Sequence, residues 1–207
     1  QYCEGPEMAL DNLKFIVDIE RNLDAGLEFD TIIVNNSTGF EEGNDWLDSI
    51  NNTDTRNGKI YTIHRENKGR NFAAYRVGYE KFSDKYDYFM FIPDDHVMLA
   101  TGYYMSTMLQ YQYDNENNNV AVVGTAGTGE GRRGMGNAAN QELLHVHDGM
   151  CLIHKQYIEQ GIERFGPVPS ADNAENYISR NANVIPDHVY KGEIPFTNRY
   201  VELGYNI

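Results

Sequence analysis

Apolar residues fall into short runs that alternate with amphipathic stretches, and this alternation predicts strands and helices in turn. Leu10, Leu13, Ile16, Val17 and Leu23 recur near a 3.6-residue period, with acids and Arg21 on the other face, which predicts a helix over 7–24. Gly26 closes it. Thr31-Ile32-Ile33-Val34 is a continuous run rich in β-branched residues, the pattern of a strand buried on both faces of a parallel sheet. It ends in the turn cluster Asn35-Asn36-Ser37-Thr38-Gly39. Ile60–Ile63 predicts the next strand, Glu66–Asn71 a polar turn, and 72–83 a helix.

Tyr88-Phe89-Met90-Phe91-Ile92 reads as a further buried strand that runs straight into Pro93-Asp94-Asp95-His96. A helix is expected around 101–112, an Asn-rich loop over 114–119 and a strand over 120–123. Residues 124–140 hold six glycines and almost no large apolar groups, so they read as one long loop, which in a compact domain tends to be functional. Strands follow at 143–147 and 149–154, then a helix over 173–182 and a last short strand over 183–185. Strands alternating with helices predict an α/β fold, a single domain over 1–207 with an open, mostly parallel sheet flanked by helices. Such sheets bind ligands outside the carboxyl ends of their strands, which directs attention to Asn35-Asn36, to 67–71 and to 94–96.

Composition narrows the partners. With 17 basic and 31 acidic residues the formal net charge is −14, which argues against nucleic acid or an anionic membrane surface as a partner. A nucleotide ligand stays compatible, because a divalent metal neutralises a diphosphate locally. No apolar run reaches the ~18–20 residues of a membrane span, and no signal peptide is visible, so a cytoplasmic location is expected, or a host cytoplasm for a virus-encoded chain. The two cysteines, Cys3 and Cys151, are too few for a disulfide scaffold.

Asp94-Asp95-His96 is the sharpest chemical feature. Two carboxylates and an imidazole this close repel unless a cation sits between them. At the end of an extended strand Asp94 and His96, at i and i+2, can point to one side and share a divalent ion such as Mn²⁺. The plainer alternative is a solvated acidic turn. His145 and His147 would share one face of a strand, with Asp148 on the other. Asp172 and Glu175 form an Asp-x-x-Glu pattern, which also reads as a capping box opening a helix.

In order and spacing, Ile32–Ser37, Asn67-Lys68-Gly69-Arg70-Asn71 and Phe91–His96 resemble a GT-A-fold (Rossmann-like) glycosyltransferase of the family-2-like kind. The Asp-x-His variant resembles the metal motif of polypeptide GalNAc-transferases. The resemblance spans roughly residues 1–190 by element order. It implies a metal-dependent transferase that moves a sugar from a nucleotide-sugar donor, a UDP-sugar, to the hydroxyl of a glycan or other acceptor, with inversion. Asp94 and His96 would bind Mn²⁺ or Mg²⁺, with His147 as a third metal candidate, and Asp95 would contact ribose or support the metal shell. Asn35 or Asn36 falls where the family places a polar side chain on the base, and Arg70 and Lys68 fall where it contacts nucleotide or phosphate.

The resemblance implies that Gln1-Tyr2-Cys3 corresponds to the end of the family's opening strand, which makes Tyr2 its nucleotide-contact candidate. Asp172, then Glu175, then Asp148 are the candidates for the base that deprotonates the acceptor hydroxyl. Arg132 and Arg133 are placed to close over a diphosphate, and His188 is a further metal candidate. Two alternatives stay open. One is a metal-dependent hydrolase using Asp94, His96, His145 and His147. The other is a non-catalytic nucleotide- or carbohydrate-binding domain.

Overall fold

The computed structural model describes residues 6–36, 39–93, 102–124, 127–130, 140–146, 150–170 and 192–207. The chain is mixed α/β, and its order is α1 (Pro6–Asn22), β1 (Thr31–Asn35), α2 (Glu41–Ile50), β2 (Thr53–Asp54), β3 (Lys59–His64), α3 (Arg70–Phe82), β4 (Tyr88–Phe91), α4 (Tyr103–Asn118), β5 (Val122–Gly124), β6 (Gly127–Glu130), β7 (Asn140–Val146), β8 (Cys151–His154), α5 (Lys155–Phe165) and α6 (Ile194–Glu202). Two compact units emerge. One takes in the described residues up to Asn67 together with 102–109, and the other takes in Lys68–Pro93 and the residues from Gln110 on. None of the described helices is long and apolar enough to cross a membrane.

The first unit is built on the sheet β1-β3-β2. β1 runs parallel to β3, from Thr31 opposite Ile60 to Asn35 opposite His64, and β2 is antiparallel to β3. A parallel pair needs a crossover, and α2 is part of it. Gly43, Leu47 and Ile50 recur at helical spacing and are its buried face. Leu47 and Ile50 meet Val17 of α1 and Ile60 of β3, and Leu13, Ile33 and Trp46 pack around them. β1 itself is half-buried at all five residues, not buried on both faces as its apolar run predicts, because β3 is its only strand neighbour among the described residues.

Asn57 ties the β2–β3 turn to the segment after α1. It donates from Nδ2 to Leu23 O at 2.8 Å and accepts at Oδ1 from Ala25 N at 3.1 Å, and its own carbonyl accepts from Phe29 N at 3.0 Å. A buried amide is stable there because its donors and acceptors are used.

The second unit centres on β8, which is antiparallel to both β4 and β5. The mostly parallel sheet expected from the sequence is therefore corrected: among the described residues β1–β3 is the one parallel ladder between named strands. β4 and β5 do run in the same direction, but β8 is inserted between them. The segment 124–140, expected as one long loop, contains β6, which pairs with β7 from Gly127 opposite Val146 to Glu130 opposite Asn140. Backbone pairing does not need large side chains, so the glycine-rich composition concealed it.

α4 runs on to Asn118, through the Asn-rich stretch expected to be a loop. Its last turns are fastened by i to i+4 bonds, from Gln110 Nε2 to Asp114 at 2.8 Å and from Asn117 Nδ2 to Tyr113 O at 2.7 Å. Val120 and Ala121 lie before β5, and Val120 bridges Asn206 near the C-terminus. The expected helix over 173–182 and strand over 183–185 fall outside the described residues.

Aromatic rings fill the second core. Phe72 lies 5.5 Å from Phe196, Tyr75 stacks on Phe91 at 4.8 Å, and Phe196 meets Tyr200 at 5.5 Å. Tyr200 is fully buried, and its hydroxyl has no hydrogen-bond partner among the described residues. Burial pushes that phenol pKa up. Tyr200→Phe keeps the ring packing and removes an unsatisfied group, so a gain of about 1 kcal/mol in urea unfolding is expected. A loss of stability would mean that the hydroxyl makes a bond worth more than its desolvation.

Candidate functional site

β1 and β3 end side by side, and their last residues put an amide opposite an imidazole, Asn35 against His64. The next residues stay paired, with Arg65 N donating to Asn35 O at 3.0 Å. The Arg65 guanidinium donates to Asn36 Oδ1 at 2.5 Å. α2 adds two side chains one turn apart, Asn44 and Asp48, from the stripe beside its buried Gly43/Leu47 face.

The cluster is a chain of hydrogen bonds. Asn35 Nδ2 donates to Asn44 Oδ1 at 2.8 Å and lies 3.1 Å from His64 Nδ1. His64 Nε2 is 3.0 Å from Asp48 Oδ1. Asp48 is largely exposed, while Asn35, Asn36 and Asn44 are half-buried. Amides, an imidazole and a guanidinium at a strand end give a surface rich in hydrogen-bond donors and acceptors, with one cation, Arg65, among them and one acid, Asp48, at its rim.

No protein-family model, no curated protein and no solved structure matches the chain.

Asn35 and Asn36, expected as base contacts, sit together in this cluster of the first unit. Lys68 and Arg70 belong to the second unit, at the start of α3. Their turn is unusual. Gly69 has φ +80° and Arg70 has φ +56°, so a non-glycine residue adopts the left-handed region directly after a glycine that does so. Left-handed backbone costs a non-glycine residue about 1–2 kcal/mol, and such strain tends to gather where a side chain must be aimed. Both Lys68 and Arg70 are exposed.

The remaining expected site residues lie outside the described residues: Tyr2, Asp94, Asp95, His96, His147, Asp148, Asp172 and Glu175, and with them Arg132, Arg133 and His188. Asp94 follows Pro93, a buried residue just past the end of β4. The backbone of His145 pairs with Thr128 across the β6–β7 ladder. Among the described residues no three His, Cys, Asp or Glu side chains are grouped to hold a metal ion.

Reading the sequence missed His64, Arg65, Asn44 and Asp48. His64-Arg65 follows Ile60–Ile63 as Asn35-Asn36 follows Ile32–Val34, so the strand-end rule that singled out one pair also applied to the other. Asn44 and Asp48 needed α2, whose Gly, Asn, Asp and Ser content hides a helix.

Burial shifts groups away from this cluster. Glu20 of α1 is 5% exposed, and its carboxyl is held above the usual range by desolvation, partly offset by a hydrogen bond from the Tyr104 hydroxyl. Desolvation and the Glu20 carboxylate together push the Tyr104 phenol up. In the second unit Cys151 is fully buried, which raises its thiol pKa and makes it a poor nucleophile.

Proposed function

We propose that the chain is a metal-dependent glycosyltransferase of GT-A type, acting in the cytoplasm, that moves a sugar from a UDP-sugar to an acceptor hydroxyl with inversion. The observation that carries the reading is the polar cluster at the paired ends of β1 and β3. Asn35 and Asn36, the residues expected to meet the base, stand there beside His64 and Arg65. Ligands of α/β sheets bind at such strand ends. The sequence order of the turn at 67–71 and of Asp94-Asp95-His96 after β4 supports the same reading.

In this reading Asn35 and Asn36 hold the uracil, and Arg70, Lys68 and Tyr2 hold the nucleotide and its phosphates. Asp94 and His96, with His147, would hold Mn²⁺ or Mg²⁺, which supplies Lewis-acid stabilisation to a departing diphosphate. Asp172, or else Glu175 or Asp148, takes the proton from the acceptor hydroxyl as its oxygen attacks the anomeric carbon.

The test is a calorimetric titration of UDP, GDP and dTDP into the whole chain, with Mn²⁺ and with EDTA, for the wild type and Asp94→Ala. UDP is expected to bind with Mn²⁺ and to weaken by about tenfold or more in EDTA and in the variant, the equivalent of one lost charge-assisted contact. Absence of binding by every nucleotide in both conditions overturns the proposal and brings forward the hydrolase built on His145 and His147. Metal-dependent UDP binding with neither donor hydrolysis nor transfer would instead identify a binding domain.

A further inference from the structure

We infer that the contact between Glu20 of α1 and Tyr104 of α4 is a proton-operated latch, which holds the first turns of α4 against α1 while the Glu20 carboxyl carries a proton and lets them go when it ionises. Both side chains belong to the first unit and both are buried, at 5% and 8% exposure. They stand 84 residues apart in the chain and meet only through the fold. Glu20 Oε1 accepts from the Tyr104 hydroxyl, and Oε2 is buried with no hydrogen-bond partner among the described residues.

The two protonation states make different demands on the packing. A neutral carboxyl keeps the Tyr104 bond at Oε1 and carries its proton on Oε2, a modest polar cost in a dry setting. A carboxylate spreads its charge over both oxygens with one donor between them, and only water can meet the rest of its demand. Water reaches Oε2 when one of the two helices moves. Burial accordingly holds the carboxyl above its ordinary range, and the Tyr104 bond offsets part of that. Burial and the Glu20 carboxylate push the Tyr104 phenol up as well, so the hydroxyl remains a donor in both states.

α4 is the helix that can yield. α1 is pinned by Val17 in the core with Leu47, Ile50 and Ile60, and by Arg21 Nη2, which donates to Thr53 Oγ1 at 3.2 Å. Among the described residues the Glu20 bond is the one side-chain hydrogen bond from residues 103–109 to the rest of the unit. Without it the apolar contacts remain, such as the Tyr104 ring 4.8 Å from Phe29 and Met105 over Gly26. Gly102 precedes α4 at φ +77°, with nothing within 4 Å of its Cβ position, so the backbone can swivel there. The charged groups around Glu20 are engaged elsewhere. On α1, Asp24 is bound to Arg56 at 2.7 Å and Lys14 faces Glu42 of α2 at 3.8 Å. β2 brings Asp54, bound to Lys59 of β3 at 2.7 Å. The segment after α1 brings Glu28, which is exposed, and Asp30, which accepts from Lys59 N. α4 brings the phenols of Tyr103 and Tyr104.

The test is amide hydrogen exchange of the whole chain, followed by mass spectrometry between about pH 4 and about pH 8 and corrected for the intrinsic pH dependence of exchange. At every pH the amides of 103–109 should be about tenfold or more less protected than those of β3, because they open without unfolding the unit. In the wild type their protection is expected to fall about tenfold or more as pH rises from the ordinary carboxyl value through the raised one, the span of one buried charge left short of a donor. Glu20→Gln keeps the acceptor for Tyr104 and cannot ionise, so its protection should stay at the acid level throughout. Tyr104→Phe keeps the ring against Phe29 and removes the carboxylate's donor, so the fall should run on to higher pH.

Equal protection of 103–109 and β3 overturns the latch, because those turns then open only with the whole unit. Protection that stays flat with pH in the wild type overturns it too, as does a fall that is as steep in Glu20→Gln. A fall that Tyr104→Phe leaves in place also overturns it, since the hydroxyl is then not the donor that matters. None of these outcomes depends on nucleotide binding, so the latch and the transferase reading stand or fall separately.

Discussion

Gly58→Ala is expected to destabilise the first unit by about 3 kcal/mol, the upper range for forcing a methyl into filled space. A Cβ at this position would lie 2.2 Å from Phe29 O and 2.5 Å from Asp30 Oδ1. Neither oxygen can yield cheaply. Phe29 is held by its N–H on Asn57 O at 3.0 Å, and Asp30 Oδ1 accepts from Lys59 N at 2.6 Å. Gly58 is fixed from its own side as well, donating to Thr55 Oγ1 at 2.9 Å while its carbonyl accepts from Thr55 N at 2.7 Å. Relief therefore means giving up hydrogen bonds that close the β2–β3 turn and anchor it to the start of β1. The cost is steric, because Gly58 is not among the positive-φ glycines. Gly39→Ala is the control, since a Cβ there meets nothing within 4 Å. Urea unfolding followed by ellipticity should separate the two variants clearly, and equal midpoints would contradict the close approach at Gly58.

Glu20→Gln should act in the opposite direction, with a gain of about 1–3 kcal/mol at neutral pH, the cost of keeping a buried carboxylate ionised where an amide stays neutral. Glu20 Oε1 accepts from the Tyr104 hydroxyl, but Oε2 is buried with no hydrogen-bond partner among the described residues. Burial raises the folded-state pKa above the ordinary 4.5. The sign follows from proton binding. Below about pH 4.5 both folded and unfolded chains hold the proton, and the carboxyl costs nothing extra as an ion. As pH rises from there through the raised folded value, the unfolded chain has released a proton that the folded chain keeps, so wild-type stability falls and then levels off. Glutamine keeps the acceptor for Tyr104 and cannot ionise. The variant's advantage should therefore be absent in acid, grow across that window and persist above it. Thermal melts of both proteins across the range would show this, and an advantage independent of pH would mean that ionisation of Glu20 is not what burial penalises.

Much of the architecture was legible where pattern and structure share one cause. The apolar runs at 31–34, 60–63 and 88–92 became β1, β3 and β4 because a buried strand needs little but β-branched and aromatic residues. α1 followed its own periodicity. Helices α2, α5 and α6 were missed for a different reason. Each is short, α2 and α5 are interrupted by Gly43 and Gly161, and α6 carries Pro195 in its opening turn, so the surrounding unit, more than local propensity, holds them helical.

Strand direction was legible for β1 and β3, which run parallel as expected, but not for the sheet around β8. Nothing in Cys151–His154 announces that it will insert antiparallel between β4 and β5, because that choice is made by partners far away in sequence. For the candidate site, the strand-end rule pointed to Asn35 and Asn36 but not to the side chains bonded around them, since Asp48 reaches His64 only once α2 exists.

Trp46 is the only tryptophan in the chain, and it packs against the core of Val17, Leu47, Ile50 and Ile60. Its emission is therefore a private signal of the first unit, whereas ellipticity sums the helices of both. A melt recorded both ways weighs the two halves separately: coincident midpoints mean one cooperative block, and split midpoints assign each half a stability of its own.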